Sequence, residues 1–261
     1  MPVTAFRSPT VLRSAFVVLT LALTSACSST PPTQCERSAY TPHDPAESIN
    51  RGIFAFNRTL DDYAIAPVAR GYRHLPGAVQ GGVHNFVANF GEPKVFINDV
   101  LQGNARRSAN TLGRFLINTT VGVVGLIDVS GRLGIERHSA DFGQTFGVWN
   151  LAEGPIVELP LFGTANLRDA TGRVLSFAVD PFGGNSDTVD TLKAVNTVGG
   201  IVDGRAEKLP LTDELRTRPD YYAAVRDVVA LQRLNFVAEG KLGRELQAPW
   251  ECGEGRADEP Q

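Results

Sequence analysis

DPAESINRGIFAFNRTLDDY, residues 44–63, is the stretch from which the fold is read. Asp44 is placed to act as an N-cap, Pro45 occupies the first helical position, and Glu47 follows Asp44 by three residues, where its carboxylate completes a capping box. Behind this start Ile49, Ile53, Phe56, Leu60 and Tyr63 recur at spacings of four and three, which puts them in one row on a helix of 3.6 residues per turn. Asn50, Arg51, Asn57 and Arg58 fall largely elsewhere on it. The spacing predicts an amphipathic helix near residues 45 to 64.

The pattern repeats outward from there. Val79, Val83, Phe86 and Phe90 mark a second apolar face, Glu92-Pro93 restarts a helix carrying Val95, Phe96, Val100 and Leu101, and Asn104 is a cap for another that runs through Leu112, Phe115 and Leu116. Residues 165 to 178, 187 to 198 and 219 to 239 also read as helical, the last with Tyr222, Val225, Val229 and Phe236 near one face. Strand signals are confined to Ile156–Leu161. The chain is expected to be all-α or predominantly helical, with short helices joined by short turns and one folded body over residues 44–243. Residues 244–261, with their Pro, Glu and Gly content, are expected to form a disordered tail.

One segment departs from this pattern. FLINTTVGVVGLI, residues 115–127, has no charge, and Gly122 and Gly125 lie inside it. No face is left for water, so it is either a buried core segment or an apolar hairpin that touches lipid. On the second reading Gly122, Gly125, Gly131 and Gly134 supply the bends of a flexible loop. Thirteen residues are too few for a helix to span a bilayer, which takes roughly twenty.

At the N-terminus Arg7 and Arg13 precede the apolar run Ala15–Leu23, and Thr24, Ser25 and Ala26 lead to Cys27. Basic, apolar and small residues in that order form a secretory signal over residues 1–26. The cysteine directly after it reads as a lipobox, with Thr24 standing where leucine is commoner; the alternative is an ordinary signal peptide cleaved after Ala26. Acyl chains on Cys27 would hold the chain to a membrane, each buried methylene contributing about 0.8 kcal/mol. Ser28 in place of an aspartate after the cysteine directs such a lipoprotein to the outer membrane, anchored on the periplasmic side. Residues 27–43, rich in Ser, Thr and Pro, then serve as a tether. Cys35 and Cys252 are a candidate disulfide in an oxidising compartment, or two unpaired thiols.

Composition and motifs exclude several classes. The formal net charge is −3, and removal of the signal makes it more negative, so there is no nucleic-acid footprint. The four histidines, His43, His74, His84 and His138, show no metal-binding spacing, and there is no nucleophile elbow or phosphate-binding glycine loop. Arg137-His138 near Asp141 reads as a structural charged cluster. Without a nucleophile and its base, hydrolysis has no mechanism, and no enzyme, metal or cofactor is expected.

Several motifs, in order, carry a resemblance. They are Asp44-Pro45-Ala46-Glu47-Ser48-Ile49-Asn50-Arg51, then Phe54, Asn57, Leu60 and Asp61, Pro67-Val68-Ala69, Gly71-Tyr72, Asn85-Phe86-Val87-Ala88-Asn89, Glu92-Pro93, and Asn98 through Gly103. Arg114 through Gly122, Arg137-His138, Asp141 through Trp149, Gly154-Pro155, Leu159-Pro160 and Leu167-Arg168-Asp169 complete the set. Over residues 44 to 239 the chain resembles the MlaA (VacJ) lipoproteins, with Ala46 and Ile49 replacing bulkier residues and a C-terminal tail that matches nothing in the family. The resemblance implies a single ring-shaped helical domain lying in the outer membrane around an amphipathic channel. It implies the removal of phospholipids that have strayed into the outer leaflet. They pass to a periplasmic lipid-carrier protein and thence to an inner-membrane ABC transporter, which maintains lipid asymmetry. The implied partner in the membrane is a trimeric porin.

A phospholipid needs apolar and polar surroundings at once, since its chains resist water and its head resists hydrocarbon. Helices with apolar faces turned out to lipid and polar faces turned in would meet both demands. Asn50, Arg51, Asn57, Asn89, Asn118, Arg168 and Asp169 are the candidate polar groups of the path; each is also suited to a structural hydrogen bond or cap. A structural or adhesion lipoprotein would share the anchor and helices without the channel.

Overall fold

The computed structural model describes residues 40–183 and 186–244. Cys27, Cys35 and Cys252 lie outside the described residues, and with them the lipidation and disulfide expectations.

Helix α1 (Glu47–Leu60) begins with Ala46 at the cap and no side chain bonded there. The expected capping box is not formed. Asp44 instead accepts hydrogen bonds from Asn50 Nδ2 at 2.7 Å and from the hydroxyl of Tyr222, 178 residues away, at 2.5 Å. A long-range partner displaces the local cap. Nor does the helix stop near residue 64: a π turn, Asp61–Ile65, in which the N–H of Ala66 donates to Asp61 O, leads into α2 (Ala66–Tyr72). The wider turn shifts the ladder just ahead of Pro67, which has no N–H to offer it.

Helix α3 (Gly77–Leu101) is one 25-residue helix with Pro93 inside, where a break was expected. It packs along α4 (Ala105–Thr120) and α8 (Asp187–Leu215), and contacts on both sides of the proline hold the two halves in line. Asn104 caps α4 as its sequence suggests, Oδ1 accepting from the N–H of Arg107 at 3.0 Å. Short helices α5 (Val129–Arg132) and α6 (Phe142–Val148) follow. Strand β1 (Ile156–Leu159) pairs antiparallel with β2 (Gly163–Asn166), Ile156 opposite Asn166. Helix α7 (Leu167–Ala178) comes next, α8 runs well past residue 198 with Pro210 inside, and α9 (Tyr221–Leu242) ends on Gly243 at φ 66°.

Packing closes these elements into a circuit. Contacts lead from α1 to β1 and β2, from β2 to α9, from α9 to α6, from α6 to α3, from α3 to α8, from α8 to α2, and through the π turn back to α1. The result is a predominantly helical ring with one small hairpin.

The ring's polarity is inverted. Its buried set holds more polar and charged side chains than apolar ones, and half of the apolar ones are alanines. Ile49, Phe56, Tyr63, Val68, Leu133 and Phe177 are all more than half exposed. Water-soluble domains place their large apolar side chains the other way, and contiguous exposed patches are rare on them. The apolar row of α1 therefore faces outward, while Asn50 and Asn57 face in and latch α1 to the hairpin. Asn50 Nδ2 donates to Ile156 O at 3.1 Å and its Oδ1 accepts from Glu158 N at 3.0 Å, while Asn57 Nδ2 donates to Leu159 O at 2.9 Å. Among the described residues no helix is long and apolar enough to cross a membrane.

Polar bonds do the work of a core. Arg114, 1 % exposed, donates from Nε to Glu92 at 3.3 Å, from Nη2 to Asp128 at 2.8 Å and from Nη1 to Ile135 O. Asp99, fully buried, accepts from Thr111 Oγ1 at 2.7 Å and lies 2.9 Å from His138 Nε2. Such groups tolerate burial only when each is answered.

Residues 115–127 finish α4 and then form a tight turn. Val121, Val123, Val124, Leu126 and Ile127 are exposed and Gly122 and Gly125 are buried, so the segment is not the buried core segment that was one of its two readings. Val123, Val124 and Gly125 are left-handed in succession, at φ 54°, 57° and 88°, a backbone that β-branched residues rarely adopt. Bonds from Val124 N to Thr119 O (3.0 Å), Gly125 N to Asn118 O (2.8 Å) and Ile127 N to Gly122 O (2.9 Å) hold it. A Cβ on Gly122 would meet Asn118 O at 2.5 Å, and one on Gly125 would meet Asn89 Nδ2 at 2.6 Å. Close approach of backbone and neighbour accounts for both glycines.

Candidate functional site

Two cavities of about 590 and 410 Å³ adjoin and share Phe54, Arg58, Arg216 and Tyr221 on their walls. Helix α1 supplies Arg51, Phe54, Asn57 and Arg58, which fall on one face because they recur at three and four residues. The turn between α8 and α9 adds Arg218, Pro219 and Asp220, α9 adds Tyr221, Tyr222, Val225 and Val229, and the hairpin with α7 adds Glu158, Phe162 and Arg173.

Rings and guanidinium groups interleave along these walls. Phe54 meets Tyr221 and Tyr222 edge-on at 5.2 and 5.4 Å. Arg58 and Arg216 lie over the Tyr221 ring at 5.9 and 5.5 Å, and Arg51 lies over Tyr222 at 4.6 Å. Seven cations, Arg51, Arg58, Arg173, Lys208, Arg216, Arg218 and Arg233, face three carboxylates, Asp61, Glu158 and Asp220. Five of the seven are ion-paired, Arg51 with Glu47 and Asp220, Arg58 with Asp62, Arg216 with Asp61 and Asp62, Arg218 with Glu214 and Arg233 with Asp141 and Asp169. The walls thus combine polar donors with apolar rings, surroundings that suit a molecule with a polar head and an apolar body.

Ion pairs set the rigid points. Arg51 grips Asp220 through Nη1 at 3.0 Å and Nη2 at 2.5 Å, while Asp220 caps α9 by accepting from Ala223 N at 3.1 Å. The Arg51 guanidinium and that N–H hold the Asp220 carboxyl down at a pKa of about 2. Arg233 ties α9 to α6 and α7: Nη1 and Nη2 donate to Asp141 at 2.7 and 3.0 Å, and Nε to Asp169 at 2.7 Å. Burial alone would raise the Asp141 carboxyl, but Arg233 and the N–H of Gln144 outweigh it and hold it below the usual carboxylate range.

Of the polar residues singled out in the sequence, Arg51 and Asn57 stand on the cavity walls. Asn50 is behind them, buried in the latch to β1. Asn89 donates to Thr119 Oγ1 at 3.0 Å beneath the apolar turn, and Asn118 donates to Asp128 at 3.0 Å and accepts from Ser130 N at 2.9 Å. Arg168 donates to Asp169 at 3.0 Å behind Arg233. Gly131 donates its N–H to Asp128 at 3.0 Å, and Gly134, at φ 80°, meets open space. Arg137 and His138 part from Asp141, which takes Arg233 instead.

Arg58, Arg173, Arg216, Tyr221, Val225, Val229 and Arg233 were missed. Arg51, Phe54 and Arg58 at helical spacing were the available signal, since they put charge and ring on one face.

Among the described residues these walls hold no histidine, cysteine or serine. Elsewhere His84, Asp203 and Glu207 bring three ligand atoms within 4.8 Å of one another. Arg137 Nη1 lies 3.2 Å from His84 Nε2, and a donor there leaves the ring proton on Nδ1, 2.9 Å from Asp203, where a metal would need a lone pair.

Comparison with known proteins identifies the family. The family model for the MlaA lipoprotein matches residues 42–235. The chain is 34% identical over 241 residues to the intermembrane phospholipid transport system lipoprotein MlaA of Escherichia coli, covering 88% of this chain and 90% of that protein. With its counterpart in Haemophilus influenzae it shares 32% over 208 residues, 77% and 81% of the two chains. An uncharacterised protein of Rickettsia felis is 36% identical over 190 residues, 72% of this chain and 75% of that one. A solved structure described as the basis for maintenance of bacterial outer-membrane lipid asymmetry superposes with a TM-score of 0.64 at 32% identity, covering 74% of this chain and 98% of that one. Ring, inverted polarity and matched sequence converge, and the chain belongs to the MlaA lipoprotein family.

Proposed function

We propose that this chain is a non-enzymatic phospholipid transport component of the outer membrane. It takes phospholipids that have strayed into the outer leaflet, passes them through the arginine-and-tyrosine channel, and releases them to a soluble periplasmic carrier, which supplies an inner-membrane ABC transporter. It is anchored through acylated Cys27 on the periplasmic side and sits beside a trimeric porin.

The observation that carries this reading is the inverted ring: apolar side chains outside, and a cavity system with seven cations beside aromatic rings. An outer belt of exposed Ile, Leu, Val and Phe is stable in hydrocarbon, and burying it there gains about 25 cal/mol per Å² of apolar surface. The channel supplies what hydrocarbon lacks, a set of donors for a phosphate diester, while Phe54, Val225 and Val229 line the way for acyl chains. The names of the Escherichia coli and Haemophilus relatives support the assignment.

The test is outer-leaflet phospholipid in intact cells, read with a surface-accessible lipid-modifying enzyme. Deletion should raise it, the wild-type chain should restore it, and Val229→Trp, which fills the channel, should fail to restore it at equal abundance. Surface lipid unchanged by deletion would overturn the reading.

A further inference from the structure

A third cavity, of about 270 Å³, lies further along α9 and plays no part in the channel described above. Arg107, Arg137, His138, Ser139, Phe236 and Glu239 line it. Along α9 the residues Tyr222, Val225, Val229, Gln232, Phe236 and Glu239 recur at spacings of three and four, so one helix face passes the first cavity, then the second, then the third. At 1.5 Å per residue this face is about 26 Å long, close to the roughly 30 Å of a bilayer's hydrocarbon core. Arg233 stands at the division: it lines the second cavity, and its guanidinium lies 4.8 Å over the ring of Phe236, which lines the third.

The chemistry of this cavity is one-sided. Arg107 is 5 % exposed, yet its Nη1 is buried with no hydrogen-bond partner, and Nε of Arg137 is in the same state. The buried Arg114 guanidinium, by contrast, is matched by Glu92, Asp128 and Ile135 O, and Arg216, whose Nε is also buried without a partner, has Asp61 and Asp62 against its Nη2. The nearby carboxylate Asp99 is taken by His138 and Thr111, and Glu92 and Asp128 lie closest to Arg114, with Arg137 further off at 3.9 and 3.8 Å. Glu239 is the single carboxylate on the cavity wall. Burial, reinforced by the Arg114 guanidinium, pulls the Arg137 pKa downward against the opposing pull of Asp128, Glu92 and Glu207. Unmatched buried N–H groups on a cation are costly, and an acceptor-only anion in the cavity relieves that cost.

We propose that the Arg107–Arg137–His138 cavity is a second binding station for a phosphate group, at the opposite end of the α9 face from the Arg51–Tyr222 mouth. The inference rests on the transport reading for its lipid source and on the unmatched guanidinium groups for its chemistry. A phosphate diester brings oxygens that accept and no proton to give, matching arginine's planar fork. The volume takes a headgroup and not two acyl chains, so the chains stay against Phe236 and the outer belt. A lipid would then have one site for its head at each end of the path, with the locked Arg233 between.

The experiment uses the full mature protein in detergent, with a photo-reactive phenylalanine analogue in place of Phe236 or of Val225, presented with phosphatidylglycerol; a parallel titration with inorganic phosphate is followed by phosphorus NMR. Lipid should crosslink at both positions. Arg107→Gln and Ser139→Asp should each lower the Phe236 crosslink roughly tenfold or more and leave the Val225 crosslink within about twofold. Ser139 is exposed, so its variant keeps the fold whatever the loss of Arg107 does. Inorganic phosphate that binds in an Arg107-dependent way, with no lipid crosslink at Phe236, supports the phosphate site and assigns it to free phosphate. No phosphate response and no Phe236 crosslink, with Val225 still labelled, overturns the second station and leaves the transport reading standing. Silence at both positions and with phosphate overturns both.

Discussion

Arg233→Met tests whether polar bonds hold this ring in place of an apolar core. The substitution keeps an unbranched stem over Phe236 while removing the guanidinium that joins α9 to α6 and α7. Its two limbs differ in burial. The Asp169 side chain is 3% exposed and loses its 2.7 Å bond, keeping Arg168 at 3.0 Å as its cation; stranding it should cost about 2 to 3 kcal/mol. The Asp141 side chain is half exposed, and that limb is worth about 0.5 kcal/mol after solvent screening. The total is about 3 kcal/mol. For a domain of this size each kcal/mol moves the unfolding midpoint by roughly 2 to 4 °C, so Tm should fall by about 6 to 12 °C. Thermal unfolding of the detergent-solubilised protein by circular dichroism reads it. Asp141→Asn removes only the exposed limb and keeps the cap on Gln144 N, so its Tm should fall by no more than about 3 °C. Arg233→Met with Asp169→Asn should recover none of the loss, because it takes the carboxylate from the buried Arg168. If Arg233→Met unfolds within about 2 °C of wild type, or Asp141→Asn falls as far, the reasoning is wrong.

Three further outcomes follow from the structure. Asp141 is held below the ordinary carboxylate range against the upward pull of burial. Its stabilisation is therefore complete above about pH 4 and disappears as pH falls through the folded value, so the Tm gap between wild type and Asp141→Asn at pH 6 should close in strong acid; a gap that persists below about pH 2 refutes the pairing. Gly122→Ala drives a Cβ against Asn118 O and should cost about 2 to 4 kcal/mol in chemical denaturation, where a loss below about 0.5 kcal/mol would mean the turn can move aside. Ile49→Asp with Tyr63→Asp, both on the exposed face of α1, should leave Tm in detergent nearly unchanged but release a Cys27→Ala form from membranes on alkaline washing; retention in the pellet counts against the lipid-facing belt.

What the sequence made legible was local. The row Ile49–Tyr63 marked α1, Asn104 marked the start of α4, and the Tyr222–Phe236 row marked α9, because periodicity and caps act within a few residues. Where tertiary contacts compete, local signals failed. Asp44 left its cap for Asn50 and Tyr222, Pro93 did not break α3, and β2 is the short segment GTAN with no alternation to reveal it. Period alone also cannot say which medium an apolar face meets, and here it meets the outside. The site was half legible for the same reason. Arg51 and Asn57 lay in the motif that opens the domain, but Arg216 and Tyr221 join Phe54 only through the ring closure, more than 150 residues along the chain.

The inverted interior also sets how the chain can vary. In a soluble domain a leucine inside is replaced at a cost graded by volume, and the surface accepts most polar residues. Here the enclosed positions are a wiring diagram: Asn118 must both give to Asp128 and take from Ser130 N, and a leucine of similar bulk does neither. Outside, at Ile49 or Leu133, any large apolar residue serves as well as another. A saturation library scored for function would therefore show a tolerance map turned inside out, strict in hydrogen-bonding pattern at the centre and, at the rim, strict only about hydrophobicity.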